Sequence, residues 1–319
     1  MLVGWAIDDM DKPLVSICIS VFNGQKYLRH TLDSFLAQDY KNFELIILDN
    51  ISTDDTQKIC LSYAEKDKRI KYILDDFRVG DPEGHHRVAR YARGEFFLLA
   101  CDDDVYAPTY ISKLMEIMNS NPDIGLVYSG LGYIYEDGSR MPVHMKESYF
   151  LSADNSKFHN FCFYLLHRCP IPLQFGLMKT EIHREALRYF YKVDNRGGDH
   201  DNLYMLRLLS LTKVSSLKDV LFYYRQKDRS YQRPAGFPDT WLKRYLYQAK
   251  HQALVTRTIS CIIDDSPFSH TEKCILKCYN IFVLFVNITL KYLITIPACC
   301  RLYNNFMMVV NAKAKCKDG

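Results

Sequence analysis

Short apolar runs alternate with amphipathic segments along the first hundred positions of the chain. Residues 14–21 are apolar and are followed by Asn23-Gly24, a common turn signal, so they predict a buried strand. The next segment repeats its apolar residues on one helical face, at Leu28, Leu32, Phe35 and Leu36. The pattern therefore predicts a strand followed by a helix.

This alternation continues to residue 100. Residues 43–49 predict a second strand that ends on Asp49, and Ser52 or Thr53 is expected to cap the helix that follows. Further strands are predicted at 70–74 and 95–100, with a helix at 84–92 between them. Strands that are apolar throughout are buried on both faces, so we predict an α/β fold with a mostly parallel central sheet flanked by helices.

The second half of the chain has shorter apolar runs. Pro108 suits the first turn of a helix that ends near Met118, and Asp137-Gly138 predicts a turn after two strands. The remaining strands are expected at 124–129, 131–135, 172–178 and 220–225, and the remaining helices at 154–167 and 199–210.

Composition narrows the class of protein. Of the 319 residues, 48% are hydrophobic and 24% are charged, which is usual for a globular protein and excludes a disordered or collagenous chain. A net charge of +4 does not favour a nucleic-acid partner. The charge is uneven, because 11 basic and 4 acidic residues lie from residue 240 onward, against 30 and 33 before it. A neutral to acidic body thus precedes a basic tail.

The cysteine pattern indicates a reducing compartment. Eleven cysteines lie at irregular spacing, and the first residues do not read as a secretory signal. We therefore expect free thiols and a cytoplasmic location. The pairs Cys274/Cys278 and Cys299/Cys300 do not have the spacing of a structural zinc site.

Carboxylates follow two of the predicted strands. Asp49 ends the second strand, and the fourth runs into Asp102, Asp103 and Asp104. Ligands of parallel sheets bind beyond the carboxyl ends of the strands, so these groups are expected on one rim. Adjacent like charges are costly without a cation, and carboxylates suit Mg²⁺ or Mn²⁺ with a diphosphate. The alternative is a solvated acidic loop that caps the helix after Pro108.

A second acidic group follows Gly197 and Gly198. Asp199 is expected at or near the N-cap of the next helix, where ordinary capping is the alternative to catalysis. Asp201 is expected to be a solvated acid of the first turn.

Ordered motifs resemble the nucleotide-binding half of family 2 glycosyltransferases. They are PLVSICISVFNGQKYL at 13–28, SFLAQDYKNFELIILDNISTDDT at 34–56 and ARGEFFLLACDDDVYAP at 92–108. A weaker similarity to the acceptor half continues through GGDHDNLYMLRLL at 197–209 and VLFYYRQKDRS at 220–230. The resemblance implies a GT-A fold and transfer of a sugar from a nucleoside-diphosphate donor with inversion at the anomeric carbon.

The resemblance also implies donor-side roles. Asp49 would hydrogen-bond the donor base, and three residues would wall the nucleoside pocket: Val21, Phe22 and Asn23. Asp103 would bind the metal and Asp102 the ribose or a metal-bound water, with Asp104 as the alternative ligand. A UDP-sugar is the expected donor.

Three further residues have expected roles in the reaction, and the two arginines among them each have a structural alternative. Asp199 matches the general base for the acceptor hydroxyl. Arg225 would face the phosphates, or be a surface arginine at a strand end, and Arg87 would hold the donor, or lie on an exposed helix face.

The chain also departs from the family pattern. Cys101 stands where many relatives have an acid, and His85 and His86 lie near the place of the usual Arg-Asn pair. These two histidines are adjacent and would diverge on a helix, so they do not predict a zinc site.

The domains expected are a GT-A catalytic domain at 1–236, with its donor half at 13–130 and acceptor half at 131–236, and a helical C-terminal extension at 237–319. The extension predicts an amphipathic helix at 238–262. Its longest charge-free run, residues 278–290, is shorter than the roughly 20 residues that span a bilayer. Core packing, an in-plane helix on the anionic inner face of the membrane and an oligomer interface remain alternatives.

The function expected is metal-dependent transfer to a saccharide or lipid-linked acceptor, in surface polysaccharide or glycolipid synthesis. A sugar nucleotidyltransferase would need a glycine-rich phosphate loop after the first strand, where this chain has one glycine. An inactive nucleotide-sugar-binding module is the other alternative.

Overall fold

The computed structural model describes residues 12–144, 150–167, 173–187, 200–227 and 241–293. The chain divides into two compact units, residues 1–232 and 233–319.

The first unit contains nine strands and seven α-helices within the described residues. The strands are β1 (Val15–Val21), β2 (Phe43–Asp49), β3 (Ile70–Leu74), β4 (Phe96–Ala100), β5 (Val105–Tyr106), β6 (Ile124–Ile134), β7 (Arg140–His144), β8 (Leu177–Lys179) and β9 (Lys213–Arg225). The helices are α1 (Leu28–Leu36), α2 (Thr56–Lys66), α3 (Asp81–Ala89), α4 (Tyr110–Ser120), α5 (Lys157–His167), α6 (Thr180–Ala186) and α7 (His200–Leu211), with a 3₁₀ turn at Leu173–Phe175.

All nine strands form one sheet in the order β3-β2-β1-β4-β8-β6-β9-β5, with β7 paired to β6. β1 to β4 run parallel to one another. β8 pairs antiparallel with both β4 and β6, so β6 has the same direction as β1 to β4, and β9 has it too because it pairs parallel with β6. β5 and β7 are also antiparallel to their neighbours. The prediction of a mostly parallel α/β sheet is confirmed.

Burial explains the first strands and helix. Every residue of β2 is buried, and six of the seven residues of β1 are. Leu28, Leu32 and Phe35 on the predicted face of α1 are fully buried against this sheet. The apolar pattern predicted these elements correctly. The two strands are buried on both faces and the helix on one face, and each of these patterns can be read from its own segment of the sequence.

The second half differs from the sequence pattern. The two strands expected at 124–129 and 131–135 are one strand, β6, whose register against β9 shifts on both sides of Gly130. A Cβ on Gly130 would lie 2.8 Å from the carbonyl oxygen of Lys218, so the two backbones approach too closely there for a side chain. The turn at Asp137-Gly138 is confirmed, with Gly138 at φ +86°.

Other element boundaries also differ from those predicted. β9 begins at 213 rather than 220, and residues 172–178 are divided between the 3₁₀ turn and β8. The expected cap at Ser52 or Thr53 is wrong, because α2 begins at Thr56. β5 and α6 were not predicted, since each is too short to show a period.

The second unit contains α8 (Trp241–Asp264) and α9 (His270–Leu293). The side-chain amide of Asn280 on α9 donates to the Thr256 carbonyl of α8 at 2.8 Å. Among the described residues, no helix carries an apolar stretch long enough to cross a membrane.

Candidate functional site

The loops after β1 and β2 are joined by hydrogen bonds at the carboxyl edge of the sheet. The backbone N–H of Asn23 donates to Ser52 Oγ at 3.0 Å, and the Asn23 side-chain oxygen accepts from the Thr53 N–H at 2.8 Å. The Gly24 N–H donates to Thr56 Oγ1 at 2.8 Å. The polar residues after β2 therefore hold a loop instead of capping a helix, which is why α2 starts late.

The residues expected to wall the nucleoside pocket differ in exposure. Val21 is buried, Phe22 is half-buried and Asn23 is exposed with a positive φ of 53°. The guanidinium of Arg78 lies 3.7 Å from the centre of the Phe22 ring. This part of the sheet edge therefore presents backbone groups and one aromatic ring, which is covered by the Arg78 guanidinium.

Asp49 is completely buried at the end of β2. Its Oδ1 accepts from the Ser52 N–H at 2.8 Å, and its Oδ2 accepts from the Tyr72 hydroxyl at 3.0 Å. Burial and this carboxylate raise the pKa of Tyr72, so the hydroxyl remains a donor. Next to this pair, Ile51 has the positive φ of 59°, which is strained for a β-branched residue.

Strand register brings Asp102 to the same edge. Ala100 pairs with Ile19, so two residues later the chain comes level with Val21, which pairs with Asp49. A Cβ on Gly24 would lie 2.4 Å from Asp102 Oδ2, so the Asp102 carboxylate rests on the glycine backbone. Burial raises the pKa of the Cys60 thiol to about 12, and the charges of Asp49 and Asp102 add to this rise.

The three consecutive aspartates have different surroundings. Asp102 is half-buried, whereas Asp103 and Asp104 are buried. Asp104 Oδ1 accepts from the Arg225 N–H at 2.9 Å, while its Oδ2 is buried with no hydrogen-bond partner. Burial, followed by the charge of Asp103, raises the pKa of Asp104. The solvated acidic loop considered from the sequence is therefore wrong for Asp103 and Asp104.

A cation fits this cluster. One ligand atom from each of Cys101, Asp103 and Asp104 lies within 4.8 Å of the others. Burial raises the pKa of the Cys101 thiol, so the thiol remains protonated and the carboxylates are the better donors. The buried, unpartnered Asp104 Oδ2 is the atom that a hard divalent ion would satisfy.

Arg225 lies beneath the cluster. Its side chain is buried, so the alternative of a surface arginine is wrong. Nε donates to the Asp103 carbonyl at 2.7 Å, and Nη1 donates to the Tyr135 and Glu136 carbonyls at 3.0 and 2.9 Å. Arg225 thus ties the acidic loop to the turn between β6 and β7, and its role toward phosphates stays a prediction.

Lys227 is a site residue that the sequence reasoning missed. Its ammonium forms an ion pair with Asp103 Oδ2. β5 pairs with the end of β9, which brings this part of the chain to the acidic loop. Its position two residues after Arg225 was an available signal, because alternate residues near a strand end share a face.

Arg87 contacts residues that follow β3. Its guanidinium forms an ion pair with Asp75 at 2.5 Å and lies 4.3 Å from the Phe77 ring centre. The side chain is 16% exposed, so an exposed helix face is not its setting. The Asp75 N–H donates to the Asp49 carbonyl at 2.9 Å, which links Arg87 indirectly to the end of β2.

A separate cavity includes Leu99 of β4 in its wall. Its wall includes His85, His86, Leu99, Gln174, His183, Leu187, Asp201 and Tyr204. Burial lowers the pKa of His86 and of His183 to about 3, so both rings are neutral. The His183 ring nitrogen Nδ1 lies 2.5 Å from the Tyr204 hydroxyl.

Asp201 lines this cavity. The residue is exposed, yet desolvation of its carboxyl raises its pKa, and the Gln174 side chain hydrogen-bonds to it. Asp201 is thus an exposed acid of the first turn of α7, as expected from the sequence, and its carboxyl also forms part of the cavity wall. Asp199 and the two glycines before it lie outside the described residues, so its role stays a prediction.

Comparison with known proteins gives consistent matches. Residues 16–179 match the family model described as Glycosyl transferase family 2. An uncharacterized glycosyltransferase of Methanocaldococcus jannaschii is 32% identical over 145 residues, which cover 45% of this chain and 50% of the relative. The glycosyltransferase GlyG of Streptococcus pneumoniae is 26% identical over 241 residues, covering 72% and 76%. The chain thus spans about half the length of the first of these relatives.

Solved structures match over more of the chain. TarS of S. aureus in complex with UDP-GlcNAc superposes with a TM-score of 0.62 at 17% identity, covering 86% of this chain and 73% of that one. The mannosyltransferase PcManGT of Pyrobaculum calidifontis, in complex with GDP-Man and Mn²⁺, gives a TM-score of 0.52 at 15% identity, covering 95% and 82%. These likenesses establish the GT-A fold.

Proposed function

Because the chain belongs to glycosyl transferase family 2, we propose that it transfers a sugar from a nucleoside-diphosphate donor to an acceptor hydroxyl with inversion at the anomeric carbon. One observation carries the proposal. Asp49 and the acids after β4, which are 53 or more residues apart, lie on the same edge of the sheet. An edge of this kind is where α/β sheets bind nucleotides.

On the donor side, the nucleoside would lie against the loops joined by Asn23, Ser52 and Thr53. The Tyr72 hydroxyl, which donates to Asp49, would act with that carboxylate in contacting the base. A UDP-sugar is the proposed donor, since one structural neighbour is in complex with UDP-GlcNAc. GDP-sugars belong in the same test, because another neighbour is in complex with GDP-Man.

Asp103 and Asp104 would hold Mn²⁺ or Mg²⁺. A bound divalent ion would supply Lewis-acid stabilisation of the charge that develops on the leaving diphosphate. The protein's own contribution is to keep both carboxylates in place, through the Asp104 contact to the Arg225 N–H and the Arg225 contact to the Asp103 carbonyl.

A carboxylate on the acceptor side would take the proton of the attacking hydroxyl. The family resemblance favours Asp199, whereas the cavity and the raised pKa favour Asp201. The variant that removes transfer without weakening UDP binding identifies the base. Asp199→Asn and Asp201→Asn should therefore be compared with Asp219→Asn, a control at an acid exposed on β9.

The acceptor is proposed to be a saccharide or a lipid-linked saccharide, in surface polysaccharide or glycolipid synthesis. The basic extension would contact the anionic inner face of the membrane, because Ile275 and Ile281 of α9 are 55% and 60% exposed. Cosedimentation with anionic and zwitterionic vesicles tests this contact, and an oligomer that binds neither would favour the interface alternative.

The test of transfer is a panel of UDP- and GDP-sugars with Mn²⁺ and a range of saccharide acceptors. We expect nucleoside diphosphate release coupled to product of inverted anomeric configuration, read by proton NMR. Asp103→Asn should lower the rate by about 10²-fold or more, and EDTA should lower it in the wild type. Nucleotide binding without turnover on every donor would instead support the inactive module.

A further inference from the structure

Lys227 contacts Asp103, one of the two carboxylates proposed to hold a metal ion. Its ammonium forms an ion pair with Asp103 Oδ2 and lies 5.3 Å from the centre of the Tyr27 ring. The side chain is 29% exposed, so it lies between the buried carboxylate and solvent. Arg225, two residues earlier, donates hydrogen bonds to the carbonyls of Asp103 and Tyr135.

The charge of the acidic loop explains why a cation is needed there. Asp102, Asp103 and Asp104 are consecutive, and the last two are buried. Neighbouring carboxylates repel one another most strongly where water is excluded. The ion pair between Lys227 and Asp103 places a positive charge against these carboxylates. The lysine thus partly neutralises the loop through this chain's own residues.

Lys227 also faces an open groove. The groove is lined by Tyr135, Glu136, Asp137, Ser139, Gln226 and Lys227. A lysine ammonium on a flexible four-carbon stem can exchange a carboxylate for a phosphate oxygen with little change in backbone position. The guanidinium of Arg225, by contrast, is directed to backbone carbonyls.

We propose that Lys227 is a resident cation of the donor site, which holds Asp103 in the absence of donor and then binds the donor diphosphate. The inference rests on the proposed function. It has two consequences. The protein binds nucleoside diphosphates without a divalent metal, and a metal ion must displace Lys227 before it reaches Asp103.

The first test measures UDP and GDP binding by isothermal titration calorimetry in EDTA, with the full chain. Lys227→Met should weaken binding by about tenfold or more, because it removes a charged hydrogen bond to phosphate. Lys227→Arg should retain most of the affinity. Lys213→Met is the matched control, since this lysine begins β9, the strand that ends two residues before Lys227, and pairs with Asp123. Circular dichroism melting checks that each variant is folded.

The second test measures Mn²⁺ binding alone by electron paramagnetic resonance. Lys227→Met should bind Mn²⁺ about tenfold more tightly than wild type, because a competing charge has left the site. Unchanged or weaker Mn²⁺ binding in this variant would overturn the proposal. So would wild-type binding of UDP or GDP only when metal is present, or equal binding by Lys227→Met in EDTA.

These outcomes separate the inference from the proposed function. If the wild type binds neither nucleotide with or without Mn²⁺, the proposed function fails, and the inference fails with it. If the wild type binds and transfers sugar while Lys227→Met behaves as wild type, the inference alone fails.

Discussion

Replacing Arg225 with methionine tests how the acidic loop is held. Methionine has similar bulk but no donors, so the Asp103, Tyr135 and Glu136 carbonyls lose their guanidinium contacts. The Asp103 contact is buried and its loss should cost about 1–3 kcal/mol. The other two are partly solvated and should cost about 0.5–1.5 kcal/mol each. We expect a total loss of about 3 kcal/mol in the free energy of unfolding.

Urea unfolding followed by circular dichroism measures this loss. Arg140→Met is the control, because Arg140 is exposed on β7 and lies 4.7 Å from the Tyr223 ring centre; its unfolding free energy should change by less than about 0.5 kcal/mol. Arg225→Lys should recover little, since Arg225 reaches these carbonyls from two separate nitrogens, Nε and Nη1, and lysine has only one.

A second readout separates the two roles considered for Arg225. If the unfolding free energy of Arg225→Met lies within about 1 kcal/mol of the wild-type value, Arg225 does not hold the acidic loop. If stability is unchanged while UDP binding is lost, Arg225 contacts phosphate, as the sequence suggested.

Three further changes have expected outcomes. Gly24→Ala places a methyl group 2.4 Å from Asp102 Oδ2, so UDP affinity measured by calorimetry should fall about tenfold or more, and unchanged affinity would contradict the site geometry. Burial lowers the pKa of both His86 and His183 to about 3 in the folded protein. Below about pH 6.5 the unfolded chain therefore binds more protons than the folded one. Each of the two rings should lower the free energy of unfolding by about 2 kcal/mol at pH 5 relative to pH 7. Urea unfolding at both pH values checks this, and no loss on acidification would refute it. Ser269→Ala removes the N-cap contact of α9 and should lower stability by about 1 kcal/mol, measured by thermal melting.

The donor-side elements could be predicted because their signals are local. β1, α1 and β2 each have a burial pattern that can be read without knowing what they pack against. The acids at the strand ends were predicted for the same reason, since parallel strands place their carboxyl ends together. The sequence predicted two strands where the structure has the single strand β6. The cause is the register shift at Gly130, which depends on the close approach of the Lys218 carbonyl, 88 positions away.

The sequence by itself determined the alternating strands and helices, the edge of the sheet that carries Asp49 and Asp102, and the family that these motifs resemble. Only the tertiary structure decided what surrounds each charge. It paired Lys227 with Asp103 across 124 positions, covered Asp49 with the Tyr72 hydroxyl and directed Arg225 to three carbonyls. The physical reason is that apolar periodicity records burial of a segment, whereas the partner of a buried charge is set by which distant strands become neighbours in the sheet.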